Sequence, residues 1–169
     1  AIGVSSLHYA TGSDNTAVGY KSGYSFTSGT YNVAIGNETL YSATTEGSLT
    51  AIGYQAAKAN TSGSGTVAMG YQALTANTTG EYNTAFGYQA LSAETVGHAA
   101  TAFGDRALGL QNKGSDANTQ NTGLGFFAGY SNVTGTNNTY VGFEAGKGGT
   151  GNNSDNTGVG KQALLAITS

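Results

Sequence analysis

The stretch Asn83-Thr84-Ala85-Phe86-Gly87-Tyr88-Gln89-Ala90-Leu91 decides the fold, because the chain repeats it along its whole length. Its anchor is Gly87, one of a series formed by Gly3, Gly19, Gly36, Gly53, Gly70, Gly87, Gly104, Gly125, Gly142 and Gly160. The intervals are 16, 17, 17, 17, 17, 17, 21, 17 and 18 residues. A short repeat at fixed stride means one structural unit stacked on itself, each coil burying its face against the next.

Numbering each repeat from its anchor exposes fixed columns. Position −1 is always apolar, from Ile2 and Val18 through Phe86 and Phe103 to Val159. Position −2 is small except at Tyr140, −3 is Thr or Val, and −4 is usually Asn. Position +3 is small throughout, and +4 is Leu or small. Alternation of this kind fits short strands, whereas a helix needs a period of about 3.6. An extended strand would put −1, +1 and +3 on one side and −2, 0 and +2 on the other. Thr27-Ser28-Gly29, Asn77-Thr78-Thr79-Gly80 and Asn132-Val133-Thr134-Gly135 are turn chemistry. The reading is all-β: a single parallel β-roll or β-solenoid domain over residues 1–169, of about ten 17-residue coils, each with two short strands and two turns. The apolar −1 column beside aromatic +1 residues (Tyr54, Tyr71, Tyr88, Phe126, Phe143) exceeds what a thin lumen holds, so one column is expected to face another chain, most simply in a homotrimer.

Composition narrows the function classes. Of 169 residues, 9% are charged and 28 are glycine, with no cysteine, proline or tryptophan. Disulfides and thiolate metal sites are excluded, and six Lys and Arg spread along the chain give no basic footprint for nucleic acid. No apolar run is long enough to insert in a bilayer as a helix. Because Ala1-Ile2-Gly3 already lies inside a repeat, the chain is expected to be a fragment of a longer array.

Asn15-Thr16-Ala17-Val18-Gly19-Tyr20 and Tyr31-Asn32-Val33-Ala34-Ile35-Gly36 resemble two families. One is the head of trimeric autotransporter adhesins, left-handed parallel β-rolls with a shorter repeat. The closer likeness is to phage tail-fibre proteins with tandem Asn-Thr-Ala-x-Gly-Tyr-Gln-Ala-Leu repeats, matched at Tyr71-Gln72-Ala73-Leu74 and Tyr88-Gln89-Ala90-Leu91. The resemblance implies an extracellular, trimeric fibre or adhesin, on a virion tail or a cell surface. Its partners would be further copies of itself, other fibre or virion proteins, and a cell-surface glycan or protein receptor. Such repeats often precede an endosialidase-type intramolecular chaperone that cuts itself off after a serine, which makes Ser169 either a processed terminus or a simple boundary.

No catalytic set emerges, and no metal or other cofactor is expected; the chain reads as a non-enzyme. Glu38 and Glu144 share the +2 column but lie six coils apart, too far for a glycosidase pair. Asp14, Glu46, Glu81 and Glu94 fall mostly in turns, where solvation is the ordinary state, as it is for His8 and His98. Gly123-Leu124-Gly125 and Gly158-Val159-Gly160 imitate a dinucleotide fingerprint but lack a βαβ context. The long interval from Gly104 to Gly125 inserts four residues within 111–120, and solenoid insertions bulge outward, often on a binding face. Lys113, Ser115, Asp116 and Asn118, with the turn aromatics Tyr82 and Tyr130, are therefore the receptor-binding candidates. The rival readings are a polysaccharide-binding or -degrading spike and an ice-binding solenoid; the latter needs a regular Thr column, which at −3 is interrupted by Val33 and Val67.

Overall fold

The computed structural model describes residues 1–148 and 152–166. Nine three-residue strands form one parallel sheet in sequence order: β1 Thr16–Val18, β2 Val33–Ile35, β3 Thr50–Ile52, β4 Val67–Met69, β5 Thr84–Phe86, β6 Thr101–Phe103, β7 Thr122–Leu124, β8 Thr139–Val141 and β9 Thr157–Val159. Every pairing aligns equivalent positions, as in Ala85↔Ala102 and Phe86↔Phe103. Ile2 adds a single bridge to Val18. The chain is thus a parallel β-solenoid, as its repeats require. Among the described residues nine strands enclose eight complete turns, fewer than the expected ten coils, because the Gly3 repeat contributes only that bridge and no strand follows β9 to close the turn of the Gly160 repeat.

Among the described residues each coil carries one strand, not two. The strand stops at −1 because the anchor glycine takes φ between 120° and 141°, and the residue two places on is left-handed, as at Gln72 (φ 52°) and Gln89 (φ 50°). Position +4 is left-handed as well, at Leu74 and Leu91 with φ 52° and at Leu108 with φ 49°. Non-glycine residues in this region cost of order 1 kcal/mol each and persist only where the surroundings over-determine them. Here the surroundings are the neighbouring coils. Gln89 donates its backbone N–H to Tyr71 O at 2.9 Å, and Leu91 donates to Ala107 O at 3.0 Å.

That left-handed pair overturns part of the face assignment. Position +3 does not lie with −1 and +1 on the outside; Ala73, Ala90 and Ala107 are buried. The bend at +2 turns the chain inward, so Ala from −2, Ala from +3 and Leu from +4 (Leu40, Leu74, Leu91, Leu108) share the lumen. A lumen this narrow also admits polar groups, provided each is bonded. Buried Asn83 donates Nδ2 to Gly97 O at 2.8 Å and accepts the Ala100 N–H at 2.9 Å. Asn32, Asn121 and Asn138 repeat the arrangement, giving a discontinuous asparagine spine at −4.

The exceptional Tyr140 shows how tightly volume is conserved. It fills a −2 position otherwise taken by Ala or Gly, and it is buried. Room comes from +4, where Gly129 and Gly146 replace Leu. A Cβ at Gly129 would meet Tyr140 Cδ2 at 2.6 Å, and one at Gly146 would fall inside 3.0 Å of the same ring. The usual small-plus-Leu pair is exchanged for a Tyr-plus-Gly pair. Tyr140→Ala is expected to cost about 3 kcal/mol through the cavity it leaves. Gly146→Leu alone is expected to destabilise by overpacking. The double variant should be more stable than either single, which denaturant titration checks.

Candidate functional site

The outer surface of the sheet is formed by −3, −1 and +1. Along it the −1 residues leave the core half-covered or open: Phe86 is 41% exposed, Phe103 49% and Leu124 44%. The +1 column lies beside them, and its rings stack on each other along the rod. Tyr54, Tyr71 and Tyr88 follow with centroids 5.2 Å apart and Phe126 and Phe143 at 5.3 Å, while in the −1 column Phe86 and Phe103 stack at 4.6 Å. Because each ring face covers the next, these aromatics offer edges and tyrosine hydroxyls outward, not flat platforms for a sugar. Position +2 carries a parallel carboxamide ladder, Gln72 Nε2 donating to Gln55 Oε1 at 3.0 Å and Gln89 Nε2 to Gln72 Oε1 at 3.1 Å.

Two carboxylates close such ladders. Glu38 accepts from Lys58 Nζ at 2.7 Å and from Gln55, bonds that hold its carboxyl below the usual carboxylate range. Glu144 is held low in the same way, first by Lys147 and then by Gln162. The Glu38–Lys58 pair joins neighbouring coils, whereas Glu144–Lys147 lies within one. Among the described residues no three metal-ligating side chains converge.

Threonine forms a further column at +8, in Thr11, Thr27, Thr44, Thr61, Thr78 and Thr95. At +8 the hydroxyls of the first five donate to the carbonyl of the next coil's threonine, as Thr61 does to Thr78 O at 3.1 Å. Their hydrogens are spent inside the coil stack.

The receptor-binding candidates lie on different coils, and among the described residues no hydrogen bond or ring contact joins Tyr82 or Tyr130 to Lys113, Ser115, Asp116 or Asn118. Tyr82 is 65% exposed in a left-handed turn at −5, its ring lying over Gly65, where a Cβ would come 2.8 Å from its Cδ1. Tyr130 sits at +5 over Gly109, with its ring 4.8 Å from Phe127. Lys113, Ser115, Asp116 and Asn118 do gather on the insertion; Ser115, Asp116 and Asn118 are exposed and Lys113 is partly covered. Ser169 lies outside the described residues.

His98 is not a solvated turn residue. Its side chain is 17% exposed and both ring nitrogens are used. Nδ1 accepts the Glu81 N–H at 2.9 Å, so the ring proton falls on Nε2 and is donated to the Asp116 carboxylate. Backbone bonds from His98 N–H to Ala117 O and from Thr119 N–H to His98 O complete a clasp on the insertion.

Glu94, also expected in a solvated turn, is fully buried beneath that insertion. Its Oε1 accepts N–H groups from Thr95, Val96 and Gly97 at 3.0, 3.3 and 2.9 Å, and its Oε2 accepts from Gln111 Nε2 at 3.1 Å. Gln111 also reaches buried Thr119 and accepts from Asn121 Nδ2 at 2.8 Å. The sequence held a signal for this. Glu94 stands at +7, where Asn60 and Asn132 likewise bond the glycine three residues on. Asn60, Asn77 and Asn132 are buried there, which closes those three Asn-x-Ser/Thr triplets to glycosylation in the folded chain.

Comparisons with protein-family models, with curated proteins and with solved structures found no match.

Glu94→Ala would orphan three backbone donors and Gln111 together, so a loss of about 3 kcal/mol is expected. Glu94→Asn restores the turn used at Asn60 and should lose less; chemical denaturation of the two variants checks the order.

Proposed function

We propose that the chain is a structural, non-enzymatic segment of a fibre or adhesin, a stiff shaft of three copies that contributes to attachment at a cell surface. The observation that carries this reading is the outward apolar face. Val18, Ile35, Ile52, Met69, Phe86, Phe103, Leu124, Val141 and Val159 run its length without interruption in the −1 column. Contiguous exposed apolar surface on this scale marks an association site, and chains that share it as a repeat bury it best against each other. Rigidity follows from the ladders that tie every coil to its neighbours. The likeness of the repeat to tail-fibre and adhesin-head sequences supports the extracellular setting and the choice of three chains.

Attachment on this reading falls to what departs from the repeat. The clasped insertion with Lys113, Ser115, Asp116 and Asn118 is an outward departure from the regular rod, and Tyr82 is an open ring next to Glu81, whose N–H is held by the same His98 that holds Asp116. Three copies would present each of them three times, which gains avidity from weak contacts to a glycan or protein receptor.

Light scattering on the purified chain is expected to give three times the 16.9 kDa chain mass. Phe103→Glu, on the exposed face and away from the lumen, is expected to leave the circular-dichroism spectrum unchanged and shift the mass to that of one chain. A parent that is monomeric at high micromolar concentration contradicts the proposal.

A further inference from the structure

An association built only on the −1 and +1 columns has an undefined register. Because the face repeats every coil, a second copy slid by one coil, about 4.8 Å along the rod, buries nearly the same apolar surface. The degeneracy is broken only by residues that depart from the pattern. In the stretch where +1 is otherwise aromatic, from Tyr54 to Phe143, the departure is Asp105, set between Tyr88 and Phe126.

Asp105 is also poorly satisfied within its own chain. Its Oδ1 is closed off by its own chain and makes no hydrogen bond among the described residues, while the side chain is 38% exposed, so a second copy reaches the carboxylate through Oδ2. The nearest cation is Arg106 Nη1 at 3.8 Å, beyond hydrogen-bonding distance. Arg106 is itself held in place, with Nε donating to Gln89 Oε1 at 3.2 Å and its guanidinium 5.1 Å from the Tyr88 ring centroid and 5.3 Å from that of Phe127. A preorganised guanidinium therefore stands beside an under-bonded carboxylate at the edge of an apolar face.

Resting on the self-association proposed above, we infer that Asp105 and Arg106 are the register key of the assembly, and that their ligand is a second copy of this chain. Parallel, in-register packing sets Asp105 level with Arg106 of the partner subunit. A slip of one coil sets the carboxylate level with Gln89 or Phe127 of the partner subunit instead, neither of which carries charge. Burying a charge without a partner is strongly disfavoured, whereas a fixed guanidinium satisfies a carboxylate well. Apolar surface supplies the attraction and this pair selects one alignment, as a lone polar residue does in a coiled-coil seam.

The test uses the absence of cysteine from the chain. Ser62→Cys, exposed and off the apolar face, carries a nitroxide label, and pulsed electron resonance reads the distances between chains. The parent sequence is expected to give one narrow distance. Asp105→Tyr, which extends the tyrosines already found at +1, should fold and associate but give several distances. Exchanging the pair, Asp105→Arg with Arg106→Asp, should restore a single one. If Asp105→Tyr assembles with the same single distance as the parent, the register role is overturned while self-association stands. If the parent shows no inter-chain distance at all, self-association fails and the register role with it.

Discussion

Everything in this rod depends on one close approach, that of each anchor glycine to the carbonyl of the next. A Cβ placed on Gly19, Gly36, Gly53, Gly70, Gly87, Gly104 or Gly125 would fall well inside 3.0 Å of the following anchor's carbonyl oxygen. The obstruction is backbone, so no rotamer change relieves it. The same glycines close the ladder: Gly87 N–H donates to Met69 O and Gly104 N–H to Phe86 O, both at 2.8 Å. With φ near 135°, they also occupy a conformation that side chains disfavour. Sterics, hydrogen bonding and torsion all demand glycine at the same place, which is why the interval between these residues is the fold's clearest record.

The remainder of the coil adjusts around that fixed point. A lumen lined with Ala and Leu buries little apolar area per turn, so a large part of its order comes from buried amides bonded across coils. Asn83 and Asn121 each serve a glycine carbonyl and a backbone N–H of the following coil. Where the pattern varies, volume or hydrogen bonds are matched locally. Tyr140 is balanced by Gly129 and Gly146, and the longer coil after Gly104 is underpinned by Glu94 and Gln111. Rigidity and adaptability therefore occupy different columns.

Much of this was legible in the sequence, for a physical reason. The contrast between Ala at −2 and Ile, Val or Phe at −1 records two opposite faces of the strand, and the structure buries the Ala column while leaving the other half-open at the surface. The inward turn of +3 was not legible. It follows from left-handed Gln and Leu at +2 and +4, and neither residue type announces that conformation; only the ladder imposes it. The same blindness doubled the number of strands per coil. His98 and Glu94 are not solvated, although an isolated turn residue usually is. Their partners, Asp116, Glu81 and Gln111, come from neighbouring coils and become visible only once the stack is built.

The most direct measurement compares the thermal stability of Gly87→Ala with that of Gly114→Ala. Gly114 also has positive φ, 64°, but a Cβ there would meet nothing within 4 Å. Its alanine variant should lose about 1 kcal/mol, the backbone cost alone. Gly87→Ala should lose more than about 4 kcal/mol, because the collision with the Gly104 carbonyl adds to the torsional strain. Equal, small losses at the two positions would contradict the claim that the close approach of anchor glycines holds the stack together.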